Sequence, residues 1–259
     1  ILVLRNWVIG TWLKIENQKL KIVFMSKAYP KKERIIISLG GSLLVPESID
    51  AEFVSNFKKF IVSHIKKGYH FILVTGGGKT ARRYIDAAGQ ITKITDEDRD
   101  WLGIHATRMN AHLVRTIFRE YAHPRINTNP HDLEDFYSAP EPILVAAGWR
   151  PGFSTDFDAV VIGKYLDVKK IINLSNIERV YDKDPRLHAD ATPFDALTWK
   201  DFRKIVGKKW NPGMNVPFDP IASQMAEKEG MEVAIMNGKN IENLKHYLDG
   251  DAFIGTVIN

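Results

Sequence analysis

A chain of 259 residues can fold as one large domain or two small ones. With 44% hydrophobic and 26% charged residues it has the balance of a globular protein, which excludes disordered, collagenous and coiled-coil chains. A net charge of +5 suits either plain solubility or cations gathered round an anionic small molecule; no Lys/Arg run suggests a nucleic-acid arm, and zero cysteines exclude disulfides and Cys-ligated metals.

Residues 1–24 are apolar in patches, but Arg5, Lys14, Glu16, Lys19 and Lys21 interrupt them. A membrane span needs ~20 consecutive apolar residues, so none is expected here. A signal peptide is not expected either, because no clean apolar core leads to a small-residue cleavage site. Residues 27–34 read as a polar linker. Three readings of the segment stand: an accessory β-hairpin, an interaction arm, or an extension upstream of Met25. Its role as an N-terminal extension, 1–33, is left open.

From residue 34 onward, strands alternate with helices. The β-branched run 35–39 reads as a buried strand ending in Gly-Gly. Helix 50–67 follows, with Phe53, Phe57, Phe60, Ile61 and Ile65 at helical spacing, and Gly68 stops it. Strand 69–74 ends in three glycines. Helix 80–88 is closed by Gly89, and a long helix covers 96–121. Strand 142–146, helix 156–166 and strand 170–174 come next. Helices are expected at 198–206 and 219–229, strand 232–236, helix 241–248 and a last strand 253–257. The stretch 193–198 is a candidate joint between two lobes. This alternation predicts an α/β fold, a three-layer αβα sandwich with a mostly parallel central sheet.

Ligands of such sheets sit beyond the carboxyl ends of the strands. Four loops there are unusual: 38–42 (SLGGS), 76–82 (GGGKTAR), 148–156 (GWRPGFSTD) and 175–185. Glycines let the backbone approach a phosphate, and a helix N-terminus then holds the anion. Neither GxxxxGK[ST] nor GxGxxG is present, so the phosphate site is of another design. Lys79 and Arg82 share a helix face beside the second loop. Ser154-Thr155-Asp156 reads equally as a helix cap or as hydroxyls for an anion. Trp101, Leu102 and Met109 read as core or interface. The eight His show no HExxH-type spacing, and no metal ligand is assigned.

Six segments in order carry a resemblance: IISLGGSLLVPE (36–47), VTGGGKTARRYI (74–85), DWLGIHATRMNAHLV (100–114), AGWRPGFSTDFDAVV (147–161), LSNIERVYDKDP (174–185) and FDPIASQMAEKEGMEVAIMNG (218–238). The chain resembles the amino-acid kinase superfamily and, within it, the uridylate (UMP) kinases of the archaeal type. That resemblance implies the amino-acid kinase fold over 34–259, with an acceptor lobe roughly at 34–165 and an ATP lobe roughly at 166–259. It implies transfer of the γ-phosphoryl group of ATP to UMP in pyrimidine nucleotide biosynthesis, with Mg²⁺. By position, ATP falls to Ser38, Leu39, Gly40, Gly41, Ser42, Gly78, Arg82, Ser175, Tyr181 and Asp184. UMP falls to Gly77, Asp100, Trp149, Arg150, Pro151, Gly152, Phe153, Ser154 and Thr155. The resemblance further implies a cytoplasmic homo-oligomer, hexameric in the family, with neither nucleic acid nor membrane as partner.

Two positions depart from the family. Ser38 stands where many relatives have Lys, and Arg179 stands where a glycine is usual, so the cation must come from elsewhere. Arg82, Lys79 and Lys183 are the catalytic candidates. A UMP phosphate is already ionised near neutral pH, its second pKa being ~6, so no general base is required. The remaining task is positioning and charge cancellation. Alternatives are a kinase of the same fold for isopentenyl phosphate or a carboxylate, and a non-catalytic nucleotide-binding homologue.

Overall fold

A computed structural model describes residues 11–16, 19–24, 33–207 and 216–259. All but the last two residues of the 27–34 linker lie outside the described residues. Within the N-terminal extension, β1 (Thr11–Glu16) and β2 (Lys19–Phe24) pair antiparallel, from Thr11 opposite Phe24 to Glu16 opposite Lys19. At 11–16 and 19–24 the backbone is that of a hairpin, the first of the three readings.

The main chain begins with β3 (Glu33–Leu39), the short α1 (Gly41–Leu44), α2 (Ala51–Lys66) and β4 (Tyr69–Thr75). Then come α3 (Gly78–Ile91), α4 (Asp96–Ile117), α5 (Glu134–Tyr137) and β5 (Ile143–Ala146). After α6 (Thr155–Leu166) and β6 (Lys170–Ser175) the chain forms β7 (Val180–Tyr181), β8 (Pro193–Phe194) and β9 (Ala196–Leu197). It finishes with α7 (Trp199–Val206), α8 (Pro220–Lys228), β10 (Glu232–Asn237), α9 (Ile241–Asp249) and β11 (Thr256–Ile258).

Seven strands form one sheet in the order β5-β4-β3-β6-β10-β11-β9, parallel except where β11 meets β10 antiparallel. The period-2 alternation of a strand sorts its side chains onto two faces. Ile35, Ile37 and Leu39 join a core made with α1, α2, α4 and α9. Ile36 faces the other core, made with α5, α6, α7 and α8. Helices therefore cover both faces, and the αβα sandwich expected from the alternation is the architecture found.

Some boundaries differ from the expected ones. Gly89 does not close α3, which runs on to Ile91 and stops where Thr92 turns extended. A helix tolerates one Gly at ~1 kcal/mol, and α3 has no core position at which that cost would be felt as lost packing. Helix α4 ends at Ile117 rather than at 121, because the chain turns there to bring Ala122 beside Ile143 of β5. The last strand is Thr256–Ile258 only; Phe253 instead packs on Tyr247, ring centroids 4.8 Å apart. The stretch 193–198 supplies β8 and β9, and β9 is an edge strand of the central sheet.

Where β3 and β4 end, their glycine loops meet backbone to backbone. A Cβ on Gly41 would lie 2.6 Å from the carbonyl carbon and oxygen of Gly76, and would collide with the amide nitrogen of Gly78. Gly78 has φ +63°, in the left-handed region that favours glycine. The Gly41→Ala variant is therefore expected to lose ~1–3 kcal/mol by overpacking. Gly103→Ala, at a helical site with open space around the new methyl, should be neutral or slightly stabilising. Denaturant unfolding of the two variants beside the parent checks this.

Candidate active site

The chain leaves β3 toward β4 and β5 on one side, while β6 and β10 lie on the other. The carboxyl ends of β3 and β6 thus flank the point where strand order reverses, which is where open α/β sheets bind ligands. Register brings the same level of both strands together: Ser38 pairs with Asn173, and Leu39 with Leu174. The Gly40 amide donates to the Leu174 carbonyl (2.8 Å), and Gly76 N–H donates to Leu39 O (3.0 Å).

Helix starts distinguish this place. Every other long helix is capped by a side chain: Asp50 on α2, Thr95 on α4, Ser154 on α6, Thr198 on α7, Asp219 on α8 and Asn240 on α9. The starts of α1 and α3, at Gly40 and Gly77, have no side-chain cap, as does the short, separate α5. A helix opens with N–H groups that lack intrahelical partners, and its dipole adds partial positive charge there. The Lys79 amide is taken by the Val45 carbonyl (3.1 Å) and the Leu43 amide by Gly40 O (2.9 Å), and no side chain caps the other first-turn amides of the two apposed glycine loops, an arrangement that suits an anion. Asn110 of α4 donates to the Gly76 carbonyl (2.7 Å), which fixes the orientation of the second loop.

Below the loops lies an acidic floor. Ser38 sits on the β3 face that looks toward α6, and its hydroxyl donates to Asp156 Oδ1 (3.0 Å). Asn173 Nδ2 reaches the same oxygen at 3.4 Å, and the Asp219 amide donates to Asp156 Oδ2 (3.3 Å). Asp219 also accepts from the amides of Ile221 and Ala222, and from the Ser154 hydroxyl. Burial, reinforced by the neighbouring Asp219, pushes the Asp156 carboxyl up to about 7, against the pull of Ser38.

The third loop is tied down from α4 and α6. Asp100 Oδ2 accepts from the Gly152 amide (2.7 Å), where Gly152 has φ +88°. Thr107 Oγ1 accepts from Gly148 N–H (2.9 Å), and Arg108 donates to the carbonyls of Gly148 (3.2 Å) and Trp149 (2.8 Å). Arg150 lies 4.0 Å from the Trp149 ring centre, and Phe153 packs between Trp149 and Phe157. Ser154 acts as the α6 cap, accepting from Phe157 N–H (3.1 Å), and Thr155 opens that helix.

Of the cation candidates, Lys79 is paired with Glu47 (3.0 Å), and so is Arg83 (3.1 Å). These pairs hold the Glu47 carboxyl below its ordinary range, Lys79 contributing most. Arg82 is exposed on α3. Lys183 pairs with Asp190 (2.6 Å) within its own loop. In the same loop, Arg186 grips Asp184 and holds its carboxyl down at about 2. Ser175 Oγ accepts from the Ile177 amide at 3.4 Å, and Tyr181 lies in β7, paired with Pro193. Leu39 is fully buried, so it meets the crevice through its backbone. Arg179 needs no glycine-like backbone: Asp167 is the one non-glycine with positive φ among the described residues. It pairs with Asp195 at 3.2 Å.

Sequence reasoning assigned roles to the loops but none to Asn110, Asp158, Asn173 or Asp219. Asp219 stands inside a quoted segment, and its Asp-Pro start is a helix-opening signal. Nothing local marks Asn110 or Asn173, which matter through strands and helices distant in sequence.

The Asp156 carboxyl has a sign-definite consequence. Its folded pKa exceeds the unfolded value, so the unfolded chain holds fewer protons between pH ~4 and 7. Stability from this group is full below that window and is lost as pH rises through it, by up to ~1.4 kcal/mol per pH unit. Asp156→Asn should therefore gain on the parent as pH climbs from ~4 to ~7 and run parallel above. Urea unfolding across that range measures the difference in slope.

The description "Amino acid kinase family" matches residues 33–237. The chain is 34% identical over 227 residues to a uridylate kinase of Thermoplasma volcanium, covering 87% of this chain and 97% of that protein. It is 33% identical over 232 residues to a uridylate kinase of Methanococcus aeolicus, covering 87% and 99%. The crystal structure of uridylate kinase from Archaeoglobus fulgidus superposes with a TM-score of 0.74 at 30% identity, over 87% of this chain and 99% of that one. The UMP kinase structure from Ureaplasma parvum, at 18% identity and TM-score 0.70 over 88% and 99%, shares the fold. Because the family match opens with β3 and closes with β10, the whole switch point and its glycine loops fall within it, and the chain belongs to the amino acid kinase family.

Proposed function

We propose that this protein is an ATP-dependent UMP kinase, converting ATP and UMP to ADP and UDP in pyrimidine nucleotide metabolism. The observation that carries the reading is the Asp100–Gly152 hydrogen bond, which joins α4 to the third loop beside the two uncapped glycine loops. An α4 carboxylate held against that loop suits a ribose hydroxyl, and uncapped helix starts suit phosphates.

The ATP phosphates would lie along Gly40, Gly41, Ser42 and Gly78, and the UMP phosphate near Gly77. The 149–155 loop would hold the acceptor nucleotide. Ser175, Tyr181 and Asp184 would face the ATP nucleoside side. An ionised UMP phosphate oxygen attacks the γ-phosphorus, and the bond to the ADP oxygen breaks. Backbone amides and a cation must offset charge that grows in the transition state. Arg82 is the leading cation, since it follows the second glycine loop and lacks the Glu47 partner that Lys79 has. Lys183 is the reserve, from the ATP side.

Magnesium is implied by the reaction class. Among the described residues no three His, Asp or Glu side chains converge to hold a cation. On this reading the ATP phosphates would be its main ligands, and bound there it would neutralise phosphate charge.

The same reading makes the protein a cytoplasmic homo-oligomer. No helix among the described residues is long and apolar enough to cross a membrane. Helix α3 buries none of its residues and exposes Tyr84 and Ile91, while α4 beside it exposes Trp101 and Met109. Trp101 and Met109 are thus interface rather than core candidates. Exposed apolar side chains of this size are typical of subunit contacts.

Coupled ADP release with UMP, CMP, AMP, isopentenyl phosphate and carboxylates as acceptors tests the reading. UMP should be strongly preferred; equal turnover of AMP, or no turnover at all, would refute it. Asp100→Ala should raise the UMP KM by about tenfold or more, from loss of a hydrogen bond to a charged group. Arg82→Ala should lower kcat by ~10²–10³ with little change in UMP affinity, because its charge matters most in the transition state. Near-parental kcat in Arg82→Ala would move the role to Lys79 or Lys183.

A further inference from the structure

Asp158 lies in the first turn of α6, two residues after Asp156, with no accessible surface. Its neighbours along the helix, Phe157, Ala159, Val160, Val161 and Ile162, are all buried and apolar. Asp158 Oδ2 accepts from the Trp149 amide (3.1 Å), whereas Oδ1 has no hydrogen-bond partner. A buried carboxyl with one oxygen unmatched is a standing cost that an apolar residue would avoid. What it obtains in return is a fixed point on the third loop.

That point is one of a set. Thr107 takes the Gly148 amide, Arg108 takes the Gly148 and Trp149 carbonyls, and Asp158 takes the Trp149 amide. The polar backbone groups of Gly148 and Trp149 are thereby claimed from α4 on one side and α6 on the other. Beyond them, Asp100 holds Gly152, and the Trp149 ring packs on His131 and Phe153. The charged groups that act on Asp158 are Arg108 from α4, Asp156 on its own helix and Asp219 at the start of α8. Burial dominates over the Arg108 attraction and pushes the Asp158 carboxyl up to about 8. In either protonation state Oδ2 can accept from the Trp149 amide.

We propose that Asp158 is a positioning residue for phosphoryl transfer: it fixes the Trp149 backbone, and through it the 148–153 loop, in the form that receives the acceptor nucleotide. This rests on the UMP kinase reading for the identity of the acceptor, but not for the effect on the loop.

Two near-isosteric variants separate the roles. Asp158→Leu fills the space and removes the acceptor; Asp158→Asn keeps an acceptor oxygen. Amide hydrogen exchange on the nucleotide-free protein reads the loop directly. In Asp158→Leu, exchange across 148–153 should speed up about tenfold, as one hydrogen bond is lost, with 76–78 unchanged; Asp158→Asn should match the parent. Steady-state kinetics should show the UMP KM about tenfold higher in Asp158→Leu, with the ATP KM within about twofold, and Asn restoring the parental value. Unchanged loop exchange in a folded Asp158→Leu, or equal effects of Leu and Asn, would overturn the proposal. If Asp158→Leu does not fold, Asp158→Ala takes its place with the same expectations. A parent that does not phosphorylate UMP would overturn the functional reading alone, and the exchange measurement would still decide the role of Asp158.

Discussion

Two peptide backbones in direct contact, at Gly41 on one side and Gly76 and Gly78 on the other, set the geometry of this protein's crevice. A side chain at any of the three would enter the other loop. Because no side chain intervenes, α1 and α3 begin within a peptide's width of each other, and neither start is covered by a cap. The same closeness lets Lys79 N–H reach the Val45 carbonyl (3.1 Å) and puts Lys79 and Arg83 on Glu47. Partial positive charge from two helix ends therefore converges without any lysine at position 38.

The counterweight is a set of carboxyls, two of them buried (Asp158 and Asp219) and one half-buried (Asp156). Asp156, Asp158 and Asp219 come from the starts of α6 and α8 and collect amides and hydroxyls from β3, β6 and the third loop. Each links elements far apart in sequence, so the two sides of the crevice share one polar floor. Ser38 belongs to that floor. Its hydroxyl satisfies Asp156, whereas a lysine there would bring a charge and a long side chain into the crevice itself. The departure at position 38 is thus a change of partner as well as a loss of charge.

Much of the architecture was legible in the sequence, because the strong signals are local. β-branched runs bounded by glycine gave the parallel strands, and Phe53, Phe57 and Ile61 gave α2 its buried face. The glycine loops were visible because glycine is the residue that permits such approach. Local reasoning erred where tertiary pairing decides the outcome. Gly89 looked like a stop but lies within α3, and 118–121 looked helical but leaves α4 so that Ala122 pairs with Ile143.

The sequence alone determined the order of elements, the α/β class and the loops that matter, since propensity and periodicity act over a few residues. The family resemblance, not propensity or periodicity, named Asp100 and the 149–155 loop, and named them separately. Only the tertiary structure joined them through the Gly152 amide, and only it showed Asn110 orienting Gly76. It likewise decided that Asp156, Asn173 and Ser38 form one cluster, because strand register is set by cores on both faces of the sheet. A carboxyl's environment depends on what folds over it, and for Asp158 that cover comes from α4 and from a loop nine residues away in the chain.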